Sequence, residues 1–105
     1  MIGYVSVGTN DIKRAAAYYD KLLAEMGAKR IMDFGTFMVW GTGKGKAAFA
    51  IAEPYNKMPA TVGNGVMVAF DVGEPAKVDA MYKKALELGG KDDGPPGDRG
   101  DNYYG

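Results

Sequence analysis

The pattern of hydrophobic and polar positions divides the chain into strand-like and helix-like segments. Residues 2–8 alternate, with Val5 and Val7 on one side and Tyr4 and Ser6 on the other, which is typical of a β-strand with one buried face. A helix is then predicted, because apolar residues recur at helical spacing behind polar side chains that can cap its first turn. The residues in this pattern are the caps Thr9, Asn10 and Asp11, the apolar stripe Ile12, Ala15, Ala16, Tyr19, Leu22, Leu23 and Met26, and the terminating Gly27.

The rest of the chain predicts four more strands and one more helix. Turn residues separate the short apolar runs, and Pro75 suits the first turn of the second helix, which Gly89 ends. Residues rich in Pro, Gly and Asn between these runs predict a connector rather than an element. The predicted strands are 29–34, 37–41, 47–53 and 66–72, the connector is 54–65, and the second apolar stripe is Val78, Met81, Tyr82, Ala85 and Leu88.

The two halves of the chain resemble each other where their helices end. Residues 87–91 match residues 25–29 at an offset of 62 positions, and such self-similarity predicts a repeated structural unit. The unit is a strand, a helix and then a meander of strands. The first module occupies 1–53, whereas the second, 66–105, ends in an acidic Gly/Pro-rich loop and the start of a strand, and we interpret it as truncated. A mobile tail is the alternative interpretation.

Composition excludes several classes of function. The 105 residues predict one domain, and 47% hydrophobic residues are enough for a small core. Thirteen basic residues balance thirteen acidic ones, so no nucleic-acid partner is expected. No apolar run is long enough to span a membrane and no signal-peptide pattern is present, so we expect a cytoplasmic protein. The absence of Cys and His excludes thiolate chemistry and His-dependent catalysis.

Several motifs together resemble the vicinal-oxygen-chelate superfamily of glyoxalases, bleomycin-resistance proteins and extradiol dioxygenases. The first module carries the resemblance in the strand 4–7, the turn 10–12 and the Ala-x-Tyr-Tyr-x-x-Leu-Leu helix of 16–23. The second module is similar through 68–72 and 85–90. The resemblance implies an α+β fold of tandem βαβββ modules, whose curled mixed sheet surrounds a concave pocket, with the second module truncated.

The resemblance also implies where a divalent metal would be held, and other residues stand there. The ligand positions of the family correspond to Tyr4, to Met67 and to either Ala50 or Ala52, while Glu53 has the opposite parity. A phenol, a thioether and a methyl group do not hold a hard dication. We therefore expect no metal and no other cofactor, although the acidic residues of 92–101 remain an alternative metal site.

Aromatic and apolar residues at the inferred concave side suit a small organic ligand. The candidate ligand-binding residues are Tyr4, Met38, Trp40, Met67 and Asp71, and no catalytic residue is identified. The competing interpretation is that the apolar members simply fill the space between sheets.

Three hypotheses about function follow. The first is a small-molecule-binding protein without metal, and the second is a metal-dependent lyase, isomerase or dioxygenase whose ligands are unrecognised. The third is a non-catalytic interaction protein. In each case a homodimer is expected, because an incomplete module leaves an open sheet edge and uncovered apolar surface.

Overall fold

Four strands and two helices follow one another along the chain, and the computed structural model describes all residues from 1 to 105. The chain divides into two compact units, Met1–Ala69 and Phe70–Gly105. Five of the elements lie in the first unit and the second helix lies in the second. The elements are β1 (Tyr4–Gly8), α1 (Ile12–Ala24), β2 (Lys29–Asp33), β3 (Phe37–Gly41), β4 (Ala48–Ala52) and α2 (Pro75–Glu87).

The strands form one open mixed sheet in the order β1-β4-β3-β2. β1 pairs in parallel with β4, whereas β2, β3 and β4 form an antiparallel meander. The helix α1 provides the crossover that a parallel pairing of β1 with a later strand requires. The first unit is therefore a βαβββ module, and the predicted α+β class is confirmed.

The core of the first unit lies between α1 and one face of the sheet. Trp40 of β3 and Phe49 of β4 are paired in register, and both rings lie within 6.0 Å of the Tyr19 ring of α1, measured between ring centroids. Since side chains alternate along a strand, this contact assigns the helix-facing residues of the other strands. The most deeply buried large side chains are Trp40, Leu23 and Ile51.

Both helices end in the same hydrogen-bonded turn. Gly27 and Gly89 have φ of +77° and +103°, the left-handed region that glycine adopts without steric cost. In the first turn the amide of Ala28 donates to the carbonyl of Leu23, and in the second the amide of Gly90 donates to the carbonyl of Ala85. These bonds define a Schellman motif, so the repeat seen in the sequence is also a repeat of backbone conformation.

The predicted strand over 66–72 is wrong. This segment contains no strand, and Val66 and Met67 are exposed. Alternating side chains describe how a strand would present its faces, but a strand forms only where a neighbouring backbone supplies hydrogen bonds. In place of a ladder, the amide of Val66 closes a turn onto the carbonyl of Gly63, and the Asp71 carboxylate accepts a hydrogen bond from the amide of Gly73.

The second unit is organised around α2 and a small terminal hairpin. α2 begins at Pro75 as predicted, and none of its residues is buried. The hairpin brings Asp98 opposite Tyr104 in a single antiparallel bridge. The Tyr104 hydroxyl donates to the Asp79 carboxylate of α2 at 2.7 Å, so the hairpin is fastened to the helix. Neither helix has the length and apolarity needed to cross a membrane.

Candidate functional site

The face of the sheet opposite α1 is the candidate site, and we call it the open face. Its residues follow from register, because Tyr4 of β1 is paired with Ala48, and the odd and even positions of each strand alternate between faces. The members are Tyr4, Ser6 and Gly8 of β1, Ala48, Ala50 and Ala52 of β4, Phe37, Val39 and Gly41 of β3, and Lys29 and Met32 of β2.

An aromatic pair crosses the middle of the open face. The rings of Tyr4 and Phe37 meet edge to face, with their centroids 5.9 Å apart and their planes at 80°. Tyr4 is in register with Ala48 and Phe37 with Ala52, so the line between the two residues passes over Ala50. Ala50 is 0% exposed, while Tyr4 keeps 59% of its surface exposed. The pair therefore covers the floor of the face and presents aromatic surface to solvent.

Small side chains in β4 make this arrangement possible. Three alanines occupy the open-face positions of the strand that lies between β1 and β3. A methyl group is short enough for two long aromatic side chains to approach one another above it, whereas a larger side chain would stand between the rings. In β4, alanines therefore point to the open face, and the large side chains of Phe49 and Ile51 point to α1.

Tyr4 is the only predicted ligand-binding residue on the open face. Met38 and Trp40 have the parity of the helix-facing residues of β3, in register with Ile51 and Phe49, and Trp40 is 1% exposed. The structure therefore does not bring them together with Tyr4. The sequence alone does not show which parity of β3 faces α1, because that depends on the pairing of β3 with β4.

Met67 and Asp71 lie outside the sheet. Met67 is 85% exposed, and Asp71 belongs to the second unit, where its carboxylate is engaged by the amide of Gly73 at 3.0 Å. A role for these two residues and for Met38 and Trp40 in ligand binding stays a prediction.

A polar cluster that sequence reasoning missed links α1 to β2 and β3. Trp40 Nε1 donates to Asp20 Oδ1 at 2.8 Å, and the Arg30 guanidinium binds both Asp20 oxygens through Nε and one terminal nitrogen. The same guanidinium reaches Asp33 at 3.1 Å and lies 5.6 Å from the centre of the Trp40 ring. The hydrogen bond to Asp20 is the main reason why the pKa of Arg30 is raised. This cluster lies on the helix side of the sheet and secures the back of the open face.

The residues of the open face do not fit a divalent metal. Tyr4 and both residues that could occupy the ligand position of β4, Ala50 and Ala52, share this face, but they offer only a phenol and a methyl group at the two implied positions. Hard dications need several carboxylate, carbonyl or imidazole donors. No three His, Cys, Asp or Glu side chains converge anywhere in the chain. In the acidic loop, Asp92 and Asp98 instead accept hydrogen bonds from the amides of Gly94 and Gly100.

Comparison with known proteins identifies relatives of the whole chain. The family model described as Glyoxalase/Bleomycin resistance protein/Dioxygenase superfamily matches residues 1–105. The chain is similar to the crystal structure of a glyoxalase/bleomycin resistance protein from Albidiferax ferrireducens T118, with a TM-score of 0.83 and 30% identity over 94% of this chain and 82% of that one. A glyoxalase/bleomycin resistance protein/dioxygenase from Nocardioides shares the fold, with a TM-score of 0.60 and 20% identity over 93% of this chain and 68% of that one. No curated protein matches the sequence.

Proposed function

Since the chain belongs to the Glyoxalase/Bleomycin resistance protein/Dioxygenase superfamily, we propose that it binds a small organic molecule on the open face without a divalent metal. The observation that carries this proposal is the partly exposed Tyr4–Phe37 pair above a floor of alanines. Binding sites for small molecules are mostly apolar, with a few polar groups that orient the ligand. The Tyr4 phenol, the Ser6 hydroxyl and, at the β2 edge, the Lys29 amine are the polar side-chain groups of this face.

The chemistry of the face favours an aromatic or flat apolar ligand. Aromatic rings attract one another edge to face, and such pairs contribute about 0.5–1.5 kcal/mol beyond the apolar area that they bury. A flat ligand can add to the existing Tyr4–Phe37 pair without displacing it. The exposed part of Met32 at the neighbouring strand adds a flexible apolar side chain that adjusts to different ligand outlines.

The proposal assigns binding rather than catalysis to this face. The open face holds no carboxylate or imidazole that could move a proton near neutral pH, and its one amine is that of Lys29 at the β2 edge, away from the aromatic pair of β1 and β3. Together with the poor fit to a dication, this favours a protein that captures its ligand unchanged. We further propose that the protein is located in the cytoplasm. The sequence has no cysteine, and disulfides are rare in cytoplasmic proteins.

A titration with 2-naphthol tests the proposal. We expect saturable quenching of intrinsic fluorescence by 2-naphthol, and Tyr4→Ala weakens the binding by about tenfold because it removes one half of the aromatic pair. Tyr55→Ala is the matched control, since Tyr55 is fully exposed in the connector and lies outside the open face. Equal affinity in both variants would contradict the proposed site.

Metal analysis of the purified protein tests the second part of the proposal. We expect less than one tenth of an equivalent of Ni, Zn, Fe or Mn, and no change in Tm when Ni²⁺ or Mn²⁺ is added, because a metal that binds the native state must raise its stability. A stoichiometric transition metal would instead support a metal-dependent lyase, isomerase or dioxygenase with ligands other than those considered above.

Self-association is a second proposal, and it rests on the unequal edges of the sheet. β2 forms one edge, and it carries Lys29, Arg30 and Asp33 with an irregular register at Ile31, features that discourage further strand pairing. β1 forms the other edge, contains no charged residue or proline, and has four exposed residues of five. We propose that two copies pair through β1 to form a homodimer.

Sedimentation over a dilution series tests this dimer. We expect the apparent mass to fall from that of two chains to that of one on dilution, and Val5→Lys shifts the equilibrium to monomer because a charge is placed on the edge. Val62→Lys introduces the same change at an exposed connector position and leaves the mass unaltered. A concentration-independent monomer would exclude the dimer. Far-UV circular dichroism confirms that both variants are folded.

A further inference from the structure

One asparagine holds a distant part of the connector by both of its backbone groups. Asn10 Nδ2 donates to the carbonyl of Ala60 at 3.0 Å, and Asn10 Oδ1 accepts from the amide of Ala60 at 2.6 Å. Only an amide side chain can donate and accept in this way with a single planar group. Asn10 itself is well anchored, because it lies between the end of β1 and the first residue of α1, and the preceding amide of Thr9 donates to the carbonyl of Ala52.

The residue held by Asn10 lies on the open face. A Cβ atom built on Gly8 would be 3.1 Å from the Cβ of Ala60 and 3.8 Å from Cγ of Pro54. Gly8 is in register with Ala52 and has the same parity as Tyr4, so this Cβ would point out of the open face. Ala60 and Pro54 therefore stand on the open face where β1 ends, and we call these two residues the end wall.

The space at position 8 favours glycine, because a Cβ there would make a tight contact with Ala60. The φ of Gly8 is outside the left-handed region, so a larger residue would suit the backbone but would push against Ala60. The close approach of the connector to the sheet thus depends on two residues, Gly8 beneath the end wall and Asn10 beside it.

The end wall lies beside the proposed ligand site. Phe37 is in register with Ala52, and Ala52 is in register with Gly8, so Phe37 and the wall lie at the same level of the same face, with β4 between them. A flat ligand packed on Phe37 would meet the wall if it extended toward the end of β1.

From this arrangement we infer that Asn10 is a positioning residue for ligand recognition: it holds Ala60 over Gly8 and so limits the length of the molecule that the open face accepts. The inference rests on the proposed function, because it assumes that the open face is where the ligand binds. It adds a size limit at one end of the site and assigns that limit to a residue that does not touch the ligand.

The experiment compares two linear aromatic probes that differ by one fused ring, 2-naphthol and 2-anthrol. We expect the wild-type protein to bind 2-naphthol more tightly than 2-anthrol. Asn10→Ala frees the end wall and reduces this preference by about tenfold, while the affinity for 2-naphthol changes little. Asn64→Ala is the matched control, because it removes an exposed asparagine from the same connector and keeps the wild-type preference.

Amide hydrogen exchange provides a second readout that does not involve ligand. Exchange at the Ala60 amide becomes at least about tenfold faster in Asn10→Ala, since that amide loses its acceptor. Gly8→Ala is a second test variant in which Asn10 is intact. Its added methyl group displaces Ala60, and we expect faster exchange and a reduced preference there too.

The outcomes separate the two proposals. If wild-type protein binds neither probe, the proposed function fails and the length limit fails with it. If it binds 2-naphthol but the preference is absent or is unchanged in both variants, the inference is overturned while the proposed function stands. Unchanged exchange at the Ala60 amide in Asn10→Ala would show that Asn10 does not hold Ala60, and it would overturn the inference.

Discussion

Asp20 of α1 accepts the indole hydrogen bond of Trp40 at 2.8 Å, and this contact ties the helix to the middle of the sheet. Trp40 is 1% exposed, so no solvent is available to replace the acceptor. In the Arg30–Asp20 ion pair at the same carboxylate, the Arg30 side chain is 31% exposed and the Asp20 side chain 41%. Solvent-exposed ion pairs contribute little, about 0–1 kcal/mol. The indole hydrogen bond is therefore the more important of the two interactions.

Substitution of Asp20 separates these contributions. We expect Asp20→Ala to lower the free energy of unfolding by about 1–3 kcal/mol, because a buried donor loses its partner. Asp20→Asn costs less, since its amide oxygen can still accept from Trp40. Urea unfolding followed by the fluorescence of Trp40, the single tryptophan, measures the free energy of unfolding of both variants. Asp93→Ala at an exposed position is the control. Equal losses in Asp20→Ala and Asp20→Asn would assign the stability to the ion pair.

Alkaline pH is expected to destabilise the protein through Tyr19. Burial, and to a lesser degree the neighbouring Tyr18, raise the pKa of Tyr19 above its ordinary value of 10.0. A raised pKa means that the native state retains the proton when the unfolded chain has lost it, so this contribution to stability is complete below pH 10 and declines as pH rises toward the native pKa. Tyr19→Phe should show a smaller fall in the urea midpoint between pH 8 and pH 11 than wild type. The urea midpoint of Tyr55→Phe, a change at an exposed position, should fall over this pH range as much as that of wild type.

The alanine floor of the open face is predicted to be intolerant of larger side chains. Ala50 is 0% exposed beneath the Tyr4–Phe37 pair, and we expect Ala50→Leu to cost about 1–3 kcal/mol through overpacking. The same change should reduce the near-ultraviolet circular dichroism of the tyrosine bands, because the rings no longer meet. Ala24→Leu, on the exposed surface at the end of α1, changes neither stability nor spectrum appreciably.

The repeated helix ends predict matched effects of two glycine substitutions. Gly27→Ala and Gly89→Ala each place a Cβ in the left-handed region, at a cost of about 1–2 kcal/mol. Gly3→Ala is the control, since Gly3 has no positive φ and a Cβ there would meet no atom within 4 Å. Thermal unfolding followed by circular dichroism measures the stability of the three variants. If Gly89→Ala left the midpoint of thermal unfolding unchanged while Gly27→Ala lowered it, the turn after α2 would not stabilise the protein as the turn after α1 does.

The elements that could be predicted from sequence are those whose stabilising partners are close along the chain. The stripe and caps of α1 determine where the helix begins and ends, and the Gly35 turn similarly separates β2 from β3. The segment 66–72 has a comparable alternating pattern, yet it is not a strand, because pairing depends on a backbone that the pattern does not describe. Local patterns thus predict conformation well and pairing poorly.

In the candidate site, too, local features could be predicted from the sequence and the pairing of strands could not. The sequence places Tyr4 opposite Val5 and Val7 correctly, because parity within one strand is a local property. It could not place Met38 and Trp40 relative to Tyr4, since that depends on the register of three strands. Nor does any sequence pattern connect Asn10 with Ala60, which are 50 residues apart.

The contrast between the two sheet edges has a consequence for the size of any assembly. A sheet that pairs with other chains at both of its edges can add strands without limit, as in fibres. Here the charges and the irregular register of β2 discourage pairing with additional strands. A pair joined at β1 would therefore have only its two β2 strands as free sheet edges. Extension of the sheet would then stop at two chains.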